Sequence, residues 1–357
     1  MPIELVNRGA KRAYTERKLG IEGKSLFDLV GRQEDSDTSS AFLVDRYISS
    51  PYAVAYRNKN NESIIRNFQP GSGQLIEIPR LSEKTPIDEE LRDQIAVGVE
   101  PSSGAAASIM KNVDQIIGDH IEGHLMTKNK QAIDFLRTGV FNALGYGGAD
   151  LGLSIDYGRD SANDITYDFT AGTASMLTAI REAQDQLRAK GTPLDGMVMI
   201  MGDDWSTNFS QDTDIQTIRR NNDANLIVEA KMEAPQLMGV EGLHIVTRLR
   251  DASMLAPVWI CRYEPPTQYV GEKGATPEAW IPSDETVFFS LGSKSWKVYR
   301  GVDAFNDSGK AVRVVGNMVV DSFDTQDPIT TFVRSQSRHA LVYGNIDHTL
   351  RSTATFS

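Results

Sequence analysis

The chain has 357 residues, of which 40% are hydrophobic, 24% charged and 8% aromatic, and its formal net charge is -11. That length suits roughly two domains with a sizeable core, since a chain of this size buries about 75% of its unfolded surface, and the composition excludes a disordered or fibrous class. The acidic balance argues against a dedicated nucleic-acid reader, whose affinity comes mostly from neutralised phosphates.

Residues 1–32 run against this balance, with seven Lys or Arg against four Asp or Glu. The opening MPIELVNRGAKRAYTERK has no apolar signal core, and the densest apolar run, MVMIM from Met197, is far shorter than the roughly 18 residues a membrane span needs. Secretion and membrane insertion are therefore not expected. Cys261 is the single cysteine, which excludes an intramolecular disulfide framework and suits a reducing compartment.

In chain order, the first 44 residues are polar, and RQEDSDTSSA (Arg32–Ala41) has almost nothing to bury, so this segment reads as an arm that needs a neighbour to lie on. In IIRNFQPGSGQLIEIPRLSEKTP, Pro70, Gly71 and Gly73 interrupt two extended apolar stretches. This is the pattern of a long hairpin with its tip at Gly71–Gly73, and Pro79 and Pro86 confine the returning strand to an edge. After SSGAAAS, the apolar residues Ile117, Ile121, Leu125, Ala132, Leu136, Val140 and Leu144 follow a helical spacing up to GYGG, which predicts one long helix ended by the paired glycines.

The charged stretch SIDYGRDSANDITYD (Ser154–Asp168) places Ile155 and Tyr157 before a polar turn, and Ile165, Tyr167 and Phe169 after it, a hairpin signature. TASMLTAIREAQDQLRAKG has Leu177, Ile180, Ala183 and Leu187 on one helical face and Gly191 as the stop, and MVMIM then reads as a short buried strand. Helix, strand and turn in succession indicate an α/β or α+β core. VRVVGNMVVDSF reads as a strand with Val312, Val314, Met318 and Val320 on one parity, and the last 31 residues read as mixed strand.

Four features invite a chemical reading. Asp203 and Asp204 in MGDDWS could hold a metal after a strand, but as aspartates before Trp205 they are expected to cap a helix. His120 and His124 in HIEGH stand one helical turn apart with Glu122 between them. No third ligand can be named, so they read as polar histidines on a solvated or subunit-facing surface. GYGGADLG (Gly145–Gly152) follows a predicted helix rather than a strand and so reads as a helix stop, not a phosphate loop. Cys261 in VWICRY reads as a buried structural thiol. Arg8, Lys11, Arg12, Arg17 and Lys18 of the arm are expected to touch acidic protein rather than DNA. No catalytic, cofactor-binding or metal residue is assigned.

The order of these features resembles the major head protein of tailed bacteriophages, the lambda major capsid protein E family. The local matches are IDYGR (Ile155–Arg159) with NDIT (Asn163–Thr166), the tail DPITTFVRSQSRHALVYGNID, and FQPGSGQLIEIPRL in the place of the family's extended loop. The resemblance implies an HK97-like α+β capsid fold. Its parts would be an arm (1–45), an extended loop (46–110), a peripheral domain with a long spine helix (111–170 and 318–357) and an axial domain (171–317). It further implies self-assembly as hexamers and pentamers into an icosahedral head around dsDNA without sequence-specific binding. Scaffolding, portal and decoration proteins would be partners, and the chain would pass from the host cytoplasm into the virion. It would be no enzyme, and it would carry no cofactor. On this reading the charges of Ser154–Asp168 face solvent or a neighbouring subunit. A tail-tube or connector subunit, and a metal-dependent enzyme using Asp203 with Asp204 or His120 with His124, are the competing classes.

Overall fold

A computed structural model describes residues 25–30, 32–35, 41–45, 73–87, 104–144, 150–170, 175–222, 231, 234–264, 279–293, 296–300, 302–307, 310–315, 318–326, 329–343 and 346–356. In chain order the elements are α1 (Leu26–Val30), β1 (Arg32–Asp35), β2 (Ala41–Asp45), β3 (Gly73–Glu77), β4 (Arg80–Pro86), α2 (Gly104–Thr138), β5 (Val140–Leu144), β6 (Asp150–Asp156) and β7 (Asp164–Asp168). There follow α3 (Met176–Ala189), β8 (Met197–Met201), α4 (Asp203–Gln211), α5 (Thr213–Asn222), β9 (Leu243–Leu249), β10 (Val258–Tyr263) and β11 (Glu285–Ser290). The remainder is strand: β12 (Trp296–Arg300), β13 (Val302–Asp307), β14 (Lys310–Val315), β15 (Val319–Gln326), β16 (Ile329–Tyr343) and β17 (Thr349–Thr355). Mixed helix and sheet is the α+β expectation.

Two sheets organise the molecule. One runs β7-β17-β11-β8-β10-β9, and the other runs β1-β12-β16-β15, with β4 also on β16. All five residues of β8 are buried because both faces of the first sheet are covered. Val198, Ile200, Trp259, Cys261, Val287 and Phe289 pack on one side with Leu136 at the end of the long helix and Phe141 of β5. Met197, Met199, Ile260 and Phe288 pack on the other with Ile180, Leu187, Trp205 and Phe209. Buried large apolar side chains such as these contribute roughly 1.5–3 kcal/mol each. The first half of α2 covers the second sheet through Val113, Ile117 and Ile121 against Val320 and Val333.

Several sequence expectations are corrected. The long helix starts at Gly104, inside the small-residue run, and ends at Thr138. Gly139 has φ +73°, and its N–H bonds the Phe135 carbonyl at 2.8 Å, an αL stop that only glycine adopts at little cost. Val140 and Leu144 therefore belong to β5, paired with β6. GYGGADLG accordingly follows a strand and is no helix stop; residues 145–149 lie outside the described residues.

The charged stretch is not a hairpin either, because β6 pairs with β5 while β7 runs parallel to β17 in the six-stranded sheet. The hairpin placed around Gly71–Gly73 also shifts: Gly73 already lies in β3, opposite Asp45 of β2. Strand β4 has β16 as its partner, in keeping with Pro79 before it and Pro86 at its end. VRVVGNMVVDSF divides into β14, which pairs with β13, and β15, which pairs with β16. Part of the presumed arm lies on its own body: Leu26 and Phe27 are buried, the Leu26 N–H reaches Asn129 Oδ1 at 2.9 Å, and β1 pairs with β12. The apolar pair Leu26 and Phe27 supplies what the polar stretch after it lacks.

Candidate functional site

The residues from Ser154 to Asp168 connect the two halves of the molecule. Strand β6 ends at Asp156, whose Oδ1 accepts from the Gly158 N–H at 2.7 Å, and Gly158 turns the chain with φ +60°. Arg159 then points inward, its side chain only 3% exposed. Its guanidinium donates to the Leu136 carbonyl at 2.8 Å, to the Arg137 carbonyl at 2.5 Å and to Asp164 Oδ1 at 2.6 Å. It thereby satisfies carbonyls of the last turn of α2 that have no intrahelical partner, with a cation at the negative end of the helix dipole. Burial pulls the Arg159 pKa down, and Asp164 opposes this.

From Arg159 a line of alternating charges runs across the sheet. Asp164 also faces Arg351 Nε at 3.2 Å. Arg351 approaches Glu285 at 4.0 Å, and Glu285 takes two bonds from Arg137 at 2.8 and 3.2 Å. Strands β7, β17 and β11 thus meet the end of α2 through opposite charges, and the sheet register places them there.

The neighbouring polar groups tie in the C-terminal region. The Asp160 N–H donates to Asp347 Oδ1 at 2.8 Å, and the Asp160 carboxylate, held below its ordinary range chiefly by its bond from Lys190, pairs with that residue. Asn163 is wholly buried, and its amide donates to the carbonyls of Asp347 and Thr349 at 2.8 and 2.9 Å. Tyr157 donates to the Leu341 carbonyl at 2.5 Å and lies edge-on to Phe135, 5.6 Å between centroids. Burial raises its phenol pKa.

The other sequence candidates are placed as follows. His120 and His124 are 1% and 6% exposed, which corrects the solvated reading: they lie between α2 and the strands β4 and β16. His124 bonds Ser337 and Ser335 at 2.9 and 3.0 Å, and His120 bonds Thr85 at 2.8 Å. His339, which the sequence reading passed over, joins the same seam, bonded to Gln131 at 2.9 Å and edge-on to Phe27. Its position in β16, two residues beyond Ser337, is the signal that could have found it.

The capping residue of α4 is Gly202, with Asp203 and Asp204 in the first turn. Asp203 pairs with Arg262 at 2.7 Å and Asp204 accepts from Ser283 at 2.6 Å, so they support the positive helix end from the first turn and not from the cap. Cys261 is fully buried, and burial pushes its thiol up to about 12. Among the described residues no three His, Cys, Asp or Glu side chains are grouped to hold a metal ion. Arg8, Lys11, Arg12, Arg17 and Lys18 lie outside the described residues.

What these groups build is a joint in which a buried Arg159 and a chain of ion pairs tie the end of α2 to β7, β17 and β11. The profile of the family described as phage major capsid protein E matches residues 24–353. No curated protein matches the chain. A protein of an E. coli CFT073 prophage, described as its capsid protein, superposes with a TM-score of 0.56 at 16% identity, covering 80% of this chain and 80% of that one. The capsid of Ralstonia phage GP4 superposes with a TM-score of 0.50 at 11% identity, covering 94% and 92%. These structures share the HK97-like capsid fold that the sequence order implied. With its family profile spanning almost the whole length, the chain belongs to the phage major capsid protein E family.

Proposed function

We propose that this protein is the major head protein of a tailed phage and assembles in many copies into a closed shell around dsDNA, with hexamers and pentamers as its capsomers. The observation that carries this reading is the match over residues 24–353 to a family of major capsid proteins, joined to the shared fold. The architecture supports it, since a shell needs many moderate contacts repeated by symmetry rather than one pocket. Scaffolding, portal and decoration proteins are the partners this role calls for, and the chain would serve in the virion after assembly in the host cytoplasm. A structural role without catalysis accords with carboxylates that are engaged in ion pairs and turns at the joint.

We divide the chain into an arm (1–45), an extended loop (46–110), a peripheral domain (111–170 and 318–357) and an axial domain (171–317). On this division β7 and β17 would be the strands that the peripheral domain lends to the six-stranded sheet, and the charged joint would lie where they enter it. Negative-stain microscopy of the expressed protein, alone and with a scaffolding protein, tests the function: closed polyhedral shells are expected. Open tubes or isolated rings would assign a tail or connector role, and persistent monomers under both conditions would refute the shell.

A further inference from the structure

Strand β7 stands at one end of the six-stranded sheet, with β17 as its neighbour. The Phe169 N–H bonds the Thr355 carbonyl at 3.0 Å, so strand alternation turns the backbone groups of Ile165 and Tyr167 toward β17 as well and those of Thr166 and Asp168 outward. Thr166 and Asp168 are exposed, and among the described residues no other strand or turn pairs with their backbone. An unpaired edge of this kind is a template for a further strand. It is also held in place: Tyr167 donates to the Ala179 carbonyl at 3.1 Å, and Phe169 stacks on Phe356 at 5.3 Å, so little ordering is left to oppose pairing.

The two faces of the edge set what it accepts. Asp164, Thr166 and Asp168 share one face, while Ile165, Tyr167 and Phe169 share the other and lead into the core. Asp164 is divided between Arg159 and Arg351; Asp168, among the described residues, takes bonds from Thr170 alone and meets no cation. A second β7 does not fit, because antiparallel pairing about Thr166 would set Asp164 opposite Asp168, and like charges directly opposite destabilise. The edge therefore calls for a strand with a cation on one face and apolar residues on the other.

Among the described strands that end their sheets, β1, β2, β3, β6, β13 and β15 carry carboxylates, β4 carries Glu83 and ends at Pro86, and β5 has no charge. Strand β9 carries Arg248, but that residue is buried, 5.3 Å from the centre of the Trp259 ring. Strand β14, KAVRVV, has β13 as its partner and carries cations with no carboxylate.

We propose that β14 of a second copy adds to the open edge of β7 and continues the six-stranded sheet across the subunit boundary. With Arg313 at the register position beside Thr166, its diagonal neighbours are Asp164 and Asp168, about 7–8 Å away and within reach of a long side chain. Val312 and Val314, of the other parity, then fall beside the face of Ile165 and Tyr167, and this holds for either strand direction. The inference rests on the shell reading, which brings copies together, and a contact between two different strands is head-to-tail, the kind that closes into rings.

The test begins with the unaltered chain. Amide exchange at Thr166 and Asp168 is expected to slow by about tenfold or more in shells relative to dispersed subunits, the fold-change of a contact of roughly 1.4 kcal/mol. Because Cys261 is the single cysteine and is buried, introduced thiols can then map the register. Shells mixed from Thr166→Cys chains and Arg313→Cys chains, oxidised with copper phenanthroline, should yield a disulfide between the two kinds of chain, and Val314→Cys in place of Arg313→Cys should yield none. Equal exchange in shells and subunits would overturn the proposal, as would a disulfide between two Thr166→Cys chains or equal coupling to Val314→Cys. Shells seen by microscopy with Thr166 unprotected would refute this surface alone, whereas absence of shells would refute the reading beneath it.

Discussion

Acidification should loosen the contact between α2 and β16 before it affects the rest of the subunit. His124 is held to about 3, mainly by burial, with Lys128 and His120 adding repulsion. His339 is lowered well below its ordinary value by burial, with Lys128 and His124 contributing. In the unfolded chain both take up a proton as the pH falls through about 6.5 while the native pair stays neutral, so each subtracts about 1.4 kcal/mol per pH unit below that point. Stability is complete above the unfolded value and is lost on the acid side. Between about pH 7 and pH 5 the two together remove about 4 kcal/mol, a large share of a typical domain's 5–15 kcal/mol.

Other groups facing the seam modulate this loss. Burial lowers His120 as well, against the opposing pull of Asp119, so it adds to the loss. Glu83 is raised by burial and by Asp119, so it gains stability as the pH drops and offsets part of the loss. Urea unfolding of dispersed subunits across this range, compared with a His124→Gln, His339→Gln variant, measures the effect, and the variant's pH slope should flatten. Equal unfolding free energies at both ends of the range, or identical slopes, would refute the assignment of two neutral buried imidazoles.

Two further substitutions probe the connections between elements. A Cβ at Gly202 would lie 2.0 Å from the Pro282 carbonyl oxygen and 2.8 and 2.9 Å from those of Ser283 and Glu285, whereas Gly191, at φ +80°, has nothing within 4 Å. Gly202→Ala should therefore cost about 3 kcal/mol or more by displacing backbone and Gly191→Ala only about 1–2 kcal/mol, an ordering that thermal melts of the two proteins would reverse if the close approach were absent. Arg159→Met should cost about 1–3 kcal/mol, because it leaves two helix-end carbonyls without their buried donor, while Asp164 keeps Arg351 and access to water. Hydrogen exchange should then accelerate first at the C-terminal turn of α2 and in β7, and uniform acceleration would argue against a local joint.

The sequence showed elements whose periodicity is local and hid those decided by remote partners. Helix α3 was legible, with Gly191 as its stop, because Ile180, Ala183 and Leu187 face one core. The end of α2 was not: Val140 and Leu144 continue the helical spacing, and only pairing with β6 makes them strand. Likewise Ile155, Tyr157, Ile165 and Tyr167 alternate as a hairpin would, yet the two strands answer to β5 and to β17, the latter nearly 190 residues away in the chain. The imidazoles read as surface groups because helical spacing records which side chains share a face but not what covers that face, and β16 covers it.

The same distinction bears on what a subunit offers its neighbours. Arg159 and Asp164 look in sequence like part of a surface to be shown, and in the fold they pair with each other and, through Arg351, with Glu285 across three strands and a helix end. Opening those pairs to reach a neighbour would leave charges partly buried and alone, a penalty of about 3–5 kcal/mol for a broken pair, whereas exposed ion pairs on a sheet face form at about 0.2–1 kcal/mol each and can be made and released as subunits adjust. A joint that must keep the two sheets aligned is served by the first kind of contact, and a shell that must close over many slightly different angles by the second. Within Ser154–Asp168 it is therefore Arg159 that belongs to the inside of the subunit, while Asp156, Asp164 and Asp168 stand exposed, on the side open to solvent or to a neighbouring copy.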